Sequence, residues 1–160
     1  MLHPLRRGFE RLLEAVVVLL LGLLAALVIA GVAWRTAGSP IVWYDEVASV
    51  VLAWLTYYGA ALAALKRAHI GFPGLVDAMP ARYRVPVVLA TEALVIGFFL
   101  LLAWVGWRVL EVLQGEALVS LPSVPIALTQ SVIPVGAALY VIAELLSLPA
   151  ALAGKHGPEL

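Results

Sequence analysis

The sequence predicts an all-α membrane protein in which four transmembrane helices leave both termini in the cytoplasm, with a short amphipathic N-terminal lead-in. Hydrophobic residues make up 64% of the 160 residues and charged residues 12%, whereas soluble domains are about half apolar and about a quarter charged. A soluble core of this length could not enclose so much apolar surface. Four apolar stretches each reach the roughly 20 residues with which a helix crosses the hydrocarbon core. Basic residues lie mostly on one side of these stretches, which orients the chain.

The first span follows an amphipathic segment. It is free of charge from Ala15 to Trp34. Around its start Phe9, Leu12, Leu13 and Val16 share one helical face, while charged residues take the other. That pattern predicts the lead-in. Ion pairs along a solvated helix end account for its charged face without a special binding role. All four spans belong to a single domain over residues 1–160, with expected limits of about 12–35, 45–66, 84–110 and 123–150.

Charged residues mark the ends of the second span, which begins at Asp45 and Glu46 and closes at Lys66 and Arg67. The third span is interrupted only by Glu92, and the fourth is free of charge over residues 124–143. The third and fourth stretches extend past the minimum length, which predicts tilted helices.

The basic residues predict the orientation of the bundle. Two of them, Arg35 and Arg108, lie on one side of the membrane. Eight lie on the other side: Arg6, Arg7, Arg11, Lys66, Arg67, Arg82, Arg84 and Lys155. The positive-inside rule places the richer side in the cytoplasm. A reporter fused after Leu160 should therefore be active only if it works in the cytoplasm, and activity of a periplasmic reporter there would contradict this topology.

Glu92 is the one ionisable residue well inside a span, and such residues are the first candidates for function. It follows Arg84 by about 12 Å along a helix, which places it near the inner boundary and away from the bilayer midplane. We therefore expect a structural ion pair in preference to a proton or cation site. The candidates for ion pairs at this cytoplasmic boundary are Glu92, Arg84, Lys66, Arg67 and Glu144.

Several chemistries lack the residues that they need. The absence of cysteine excludes disulfides and thiolate nucleophiles. The three histidines lie in the tails or at a boundary, which excludes a buried bis-histidine haem. No metal-ligand spacing, nucleophile–base arrangement or glycine-rich phosphate loop occurs. The sequence thus gives no support to an enzyme or to a nucleic-acid-binding protein, and we expect no cofactor.

Small residues recur at four-residue spacing along the first two spans. The sets are Gly22, Ala26 and Ala30 in the first span, and two pairs in the second span, Gly59 with Ala63 and Ala60 with Ala64. In lipid such residues let helix backbones approach closely. They are candidate contact residues, either within the bundle or with another subunit.

One stretch is more specific. Residues 39–48 read SPIVWYDEVA, residues 54–61 read WLTYYGAA, and residues 66–70 read KRAHI. Together with MPARYR at 79–84 and IPVG at 133–136, this order resembles the DctQ-type small membrane subunit of TRAP transporters, the tripartite ATP-independent periplasmic uptake systems. The resemblance covers about residues 10–150. It departs where the family often has a valine and an acidic residue after His-Ile, because Gly71 and Phe72 stand there.

The resemblance implies a multi-pass protein of the bacterial inner membrane. Its partners would be membrane lipid, a large multi-span permease subunit and a periplasmic substrate-binding protein that delivers an organic acid. The small subunit would be a scaffold against which the permease's transport domain moves as an elevator. Sodium would bind to the large subunit and not to this chain. The sequence does not indicate which organic acid is carried.

The acidic pair at the start of the second span has two possible roles. Asp45 or Glu46 can stabilise the first turn of the helix through its dipole and free N–H groups. The resemblance places this pair at the same point in family members, which implies that Glu46 contacts the large subunit or the docked binding protein. Both possibilities stay open at the level of sequence.

Two other classes of protein also fit four short spans. One is a self-sufficient small transporter of the multidrug type that works as a dimer, for which Glu92 is the only candidate carboxylate. The other is an assembly subunit of a different membrane complex.

Overall fold

The computed structural model describes residues 2–67 and 80–152. Lys155 and the residues 68–79, which include the His-Ile motif and its departure, lie outside this part. The described chain forms five helices: α1 Leu2–Thr36, α2 Tyr44–Leu65, α3 Ala81–Val112, α4 Ile126–Gln130 and α5 Val132–Leu152. Four segments are long and apolar enough to cross a membrane, and their limits are Arg6–Thr36, Tyr44–Leu65, Arg82–Val112 and Ile126–Pro149. The predicted all-α fold with four spans is thereby confirmed.

Helix α1 is a single helix of 35 residues that contains both the lead-in and the first span. At 1.5 Å per residue it is about 52 Å long, against about 30 Å for the hydrocarbon core. On the lead-in, Leu13 is buried and Phe9 packs beside it. Leu12, which the helical period places near the same face, is instead 59% exposed.

Helices α2 and α5 form the centre of the bundle. Helix α2 packs against α1 on one side and α5 on the other, while α3 packs against α5. A cluster of buried apolar side chains consists of Leu13, Ala61, Ala64, Leu65, Tyr140 and Ala143. This cluster lies near one end of the bundle, where α1 starts and α2 ends. We call this the terminal end. The opposite end, formed by residues 37–43 and 113–125, is called the loop end.

Glycines set the closest approaches between helices. A Cβ atom added at Gly136 of α5 would lie 2.7 Å from the Cβ of Tyr57 on α2. One added at Gly106 of α3 would lie 2.9 Å from Ile133 Cγ2 on α5. Real Cβ atoms almost never come so close, so both helix pairs meet where a glycine removes the side chain.

The fourth span, whose limits the sequence predicts at about 123–150, is formed by two helices in succession. Helix α4 ends at Gln130 and α5 begins at Val132. The physical cause is Pro134, whose nitrogen cannot donate the helical hydrogen bond to the carbonyl of Gln130. The indole N–H of Trp54 donates to the carbonyl oxygen of Thr129 at 2.9 Å, which secures this break against α2.

Candidate functional site

At the terminal end, several ionisable side chains are buried or half-buried between helices. Arg67 Nη2 donates to Glu92 Oε1 at 3.1 Å, so the end of α2 is joined to α3. Arg67 Nη1 also lies 3.4 Å from Ser147 Oγ on α5. The side chains of Arg67 and Glu92 are only 22% and 12% exposed, so this ion pair is largely shielded from solvent.

Glu144 of α5 adds a second carboxylate to the same place. The Ser147 hydroxyl lies 3.3 Å from Glu144 Oε2. Tyr140 lies one helical turn before Glu144 on α5, and both Tyr140 and Glu92 interact electrostatically with the Glu144 carboxyl group. We call this set the buried polar cluster; its members are Arg67, Glu92, Tyr140, Glu144 and Ser147. It joins three helices through two acids, one guanidinium and two hydroxyls.

The backbone of Arg67 is unusual. Its φ angle of 51° lies in the left-handed region, which disfavours residues other than glycine. Its N–H donates to the carbonyl of Ala64 at 3.0 Å, as in a left-handed helix terminus. Helix α2 therefore ends in a conformation that usually requires glycine or asparagine. The residue that adopts it, Arg67, is also the cation of the buried polar cluster.

A separate set of contacts ties α1 to the end of α2. The ammonium group of Lys66 pairs with Glu14 and, at 3.6 Å, with Glu10. Arg6 Nη2 donates to the carbonyl of Leu65 at 3.2 Å. The hydrogen bond with Glu14, together with the charges of Glu14 and Glu10, raises the pKa of Lys66 above its ordinary value, although burial opposes the shift. Lys66 therefore remains charged at physiological pH.

The five residues predicted as boundary ion-pair candidates thus lie in different surroundings. Arg67, Glu92 and Glu144 come together in the buried polar cluster. Lys66 instead binds α1. Arg84 lies two turns before Glu92 on α3 and is partly buried.

At the loop end, the carboxylate of Glu46 holds a loop of this same chain. It accepts hydrogen bonds from the N–H of Val119 at 3.1 Å, the N–H of Ser120 at 2.9 Å and the Ser120 hydroxyl. The α2 N-cap, Trp43, carries no side-chain cap hydrogen bond, and Asp45 is exposed. Glu46 is therefore engaged neither in capping its own helix nor as a free surface charge.

The loop that Glu46 holds has an internal structure. Ala117 and Pro125 form an antiparallel bridge, and the N–H of Leu118 donates to the carbonyl of Val124 at 3.0 Å. Leu118 is buried beneath the loop, whereas Val119 is 92% exposed. Glu46 thus fixes a compact loop that presents an apolar tip.

Replacing Glu46 by glutamine should release this loop. The amide offers one acceptor oxygen in place of two, so one of the backbone N–H groups of Val119 and Ser120 loses its partner. We expect their amide hydrogen exchange to accelerate by about tenfold or more. Asp45→Asn, which changes the adjacent exposed acid in the same way, is the matched control. Unchanged exchange in the Glu46 variant would show that the loop is ordered by its other contacts.

The small residues singled out in the first two spans differ in their surroundings: Ala64 is buried in the core with Ala60 packed beside it, whereas the two glycines make no close contact inside the chain. A Cβ atom added at Gly22 or Gly59 would meet nothing within 4 Å. Gly22 and Ala26 are exposed, while Ala30 and Ala63 are half-buried. On the same helix α1, large apolar side chains also point outward; Val18, Leu19 and Ile29 are each about two-thirds exposed. The stripe of Gly22, Ala26 and Ala30 is therefore an outer surface of the bundle.

Sequence reasoning missed four residues that matter in this arrangement. Gly106 and Gly136 lie at the tight helix contacts, and Tyr140 and Ser147 belong to the buried polar cluster. Ser147 carried a usable signal, because it is a polar residue in an apolar run that lies one helical turn after Glu144.

The chain matches a known family over most of its length. The family model described as "Tripartite ATP-independent periplasmic transporters, DctQ component" matches residues 24–153. This range contains Glu46, the whole buried polar cluster, and Ala26 and Ala30 of the small-residue stripe, whereas Gly22 lies two residues before it. No curated protein matches the chain.

Proposed function

We propose that this chain, which belongs to the DctQ family of tripartite ATP-independent periplasmic (TRAP) transporter components, is a scaffold for the large permease subunit. The assembled transporter would carry out sodium-driven uptake of an organic acid. The family makes the chain a small multi-pass membrane subunit of such a transporter. In our proposal it lies in the bacterial inner membrane and binds no substrate or cofactor itself. Sodium and substrate bind to the large subunit, whose transport domain moves against the fixed bundle, and a periplasmic binding protein delivers the acid.

One observation carries the scaffold assignment. Apolar surface that has no partner within the chain is concentrated on α1 and α3, the two helices outside the α2–α5 centre. The buried ionisable groups of the described residues are held by one another near the terminal end. Broad apolar outer faces suit a membrane protein to bind another subunit in the bilayer. Buried charges that are paired within the chain make it poorly suited to transport an ion.

The two ends of the bundle support an orientation for this scaffold. The terminal end carries most of the basic residues, which favours the cytoplasm. The loop end, with its Glu46-held loop, would then face the periplasm. There the exposed tip at Val119 is available to the permease or to the docked binding protein.

The alternative of a self-sufficient multidrug-type transporter would operate through Glu92. That carboxylate is 9% exposed and is paired with Arg67 at 3.1 Å. No feature of the described chain favours this alternative over the scaffold.

Gly22→Leu should separate assembly from folding. The added side chain meets nothing within the chain, so the bundle should fold normally. If a helix of the permease packs against the small-residue stripe, the bulkier side chain should reduce co-purification of the permease by about tenfold, and uptake into proteoliposomes should fall with it. Gly8→Leu, in the exposed lead-in of the same helix, is the matched control, since a Cβ there also meets nothing within 4 Å.

The same preparation tests the function as a whole. The permease and binding protein should take up substrate under a sodium gradient only when this chain is present, and the chain reconstituted alone should transport nothing. Uptake by this chain alone would overturn the scaffold assignment. Normal co-purification of the Gly22 variant would remove only the assigned contact face.

A further inference from the structure

The buried polar cluster contains more acid than base. Glu92 is 9% exposed, Glu144 is 7% exposed, and Ser147, which contacts Glu144 and Arg67, is fully buried. Arg67 donates directly to Glu92 and reaches Glu144 only through the Ser147 hydroxyl. If both acids were ionised, one guanidinium would face two carboxylates that solvent scarcely reaches.

The charged groups on neighbouring helices do not restore the balance within the described residues. Lys66 lies beside Arg67 in sequence but is held by Glu10 and Glu14 of α1. Arg6 of α1 is bonded to the carbonyl of Leu65. The remaining polar groups that face Glu144 are the hydroxyls of Tyr140 and Ser147, which donate hydrogen bonds but carry no charge.

Two buried carboxyl groups that are linked to a single guanidinium are most stable with one proton between them. A pair of ionised carboxylates repel each other, and in a site shielded from water this repulsion is little screened. When one is protonated, the pair carries a single negative charge. A single negative charge is what one arginine can neutralise.

We propose that Glu92 and Glu144 share one proton, so that with Arg67 they form a neutral latch that ties the end of α2 to α3 and α5. Glu144 is the protonated partner, because the guanidinium bonds Glu92 directly. The latch also holds Arg67 in its left-handed conformation, which has no glycine to favour it.

This latch makes the terminal end sensitive to alkaline pH. The folded state keeps a proton that a glutamate in the unfolded, solvated chain releases well below neutral pH. Stability must fall with rising pH wherever the folded state binds more protons than the unfolded state. Loss of the shared proton leaves a second buried negative charge, and the contact among the three helices weakens. The Lys66 pairs do not respond in this range, because Lys66 stays charged.

Two measurements on the full chain in lipid nanodiscs test the proposal. Infrared spectroscopy at neutral pH should show the C=O stretch of a protonated carboxyl group. That band should disappear in Glu144→Gln and equally in Glu92→Gln, because either change leaves one acid facing one arginine.

The Tm of the unaltered protein should fall by about 5 °C or more between about pH 6 and about pH 9, whereas the Tm of both variants should stay within about 1 °C over the same range. Glu111→Gln, at an exposed ion pair on the same helix as Glu92, should keep both the band and the pH dependence.

The proposal fails if the unaltered protein shows no protonated carboxyl band at neutral pH, or if the band survives in both variants. It also fails if sodium chloride, but not choline chloride, restores the Tm at alkaline pH, because the pair would then be neutralised by a metal cation. Should one glutamine variant not fold, the other gives the same answer, since each removes one of the two carboxylates.

Discussion

Replacing Gly136 by leucine should prevent the bundle from forming. The Cβ of any larger residue would lie 2.7 Å from Tyr57 Cβ and 2.9 Å from its Cδ1. Tyr57 Cβ is bonded directly to the backbone, so no side-chain rotation relieves the clash, and α2 must move away from α5. These two helices form the centre of the bundle. Overpacking typically costs about 1–3 kcal/mol, and here we expect the upper end or more because the helix backbones must separate.

The measurement is the fraction of monodisperse protein after extraction into mild detergent, followed by unfolding in increasing sodium dodecyl sulfate. We expect Gly136→Leu to lose most of its monodisperse fraction. Gly136→Ala should be intermediate, because it introduces the clashing Cβ but no further atoms. Gly97→Leu should behave as the unaltered protein, since its Cβ has open space. Full recovery of folded Gly136→Leu would mean that α2 and α5 do not meet at this point.

Arg67→Met should be the most damaging change of a charged residue in the described chain. The methionine keeps much of the apolar length of arginine but leaves Glu92 and Glu144 without a buried cation. Removing one partner of a buried ion pair costs about 3–5 kcal/mol. The Lys66→Met change, one residue earlier, removes pairs whose side chains are about one-third or more exposed, and such pairs contribute only about 0–1 kcal/mol.

A double substitution tests the cause of the Arg67 effect. If the loss comes from an uncompensated buried charge, Arg67→Met combined with Glu92→Gln should recover a large part of the stability, because one acid is removed with its base. If the double variant is as unstable as the sum of the single variants, the arginine acts through packing and not through charge. Unfolding in sodium dodecyl sulfate supplies all four free energies of the cycle.

The four spans are predictable from sequence because their physical cause is local. A run of about 20 apolar residues is long enough to cross the hydrocarbon core, and its limits follow from the charges at each end. The interruption of the fourth span is local too, since Pro134 removes one identifiable hydrogen bond. Its position could have been derived from the sequence alone.

The contacts between helices are less predictable, because they depend on how each helix is rotated about its axis. Four-residue spacing pointed to Gly22 and Gly59, yet both face open space, while Gly136 lies against Tyr57. Spacing shows that a helix has a small-residue face and does not show which neighbour meets it. Arg67 and Glu92 were both candidates for ion pairs, but their pairing depends on the left-handed turn at Arg67, for which the sequence offers no glycine.

Helix α1 continues beyond its apolar stretch as the charged lead-in, and the contacts of that lead-in with α2 bear on how the helix responds to lipid. A long helix that is free to move adjusts to bilayer thickness by tilting. Here Glu10 and Glu14 are held to Lys66, and Leu13 is buried in the core beside them. Helix α1 is therefore pinned at one depth and cannot lean independently of α2. In a thinner or thicker bilayer the lipid next to helix α1 must therefore change its own thickness to match the helix. The subunit thus sets the hydrophobic thickness of the membrane beside it.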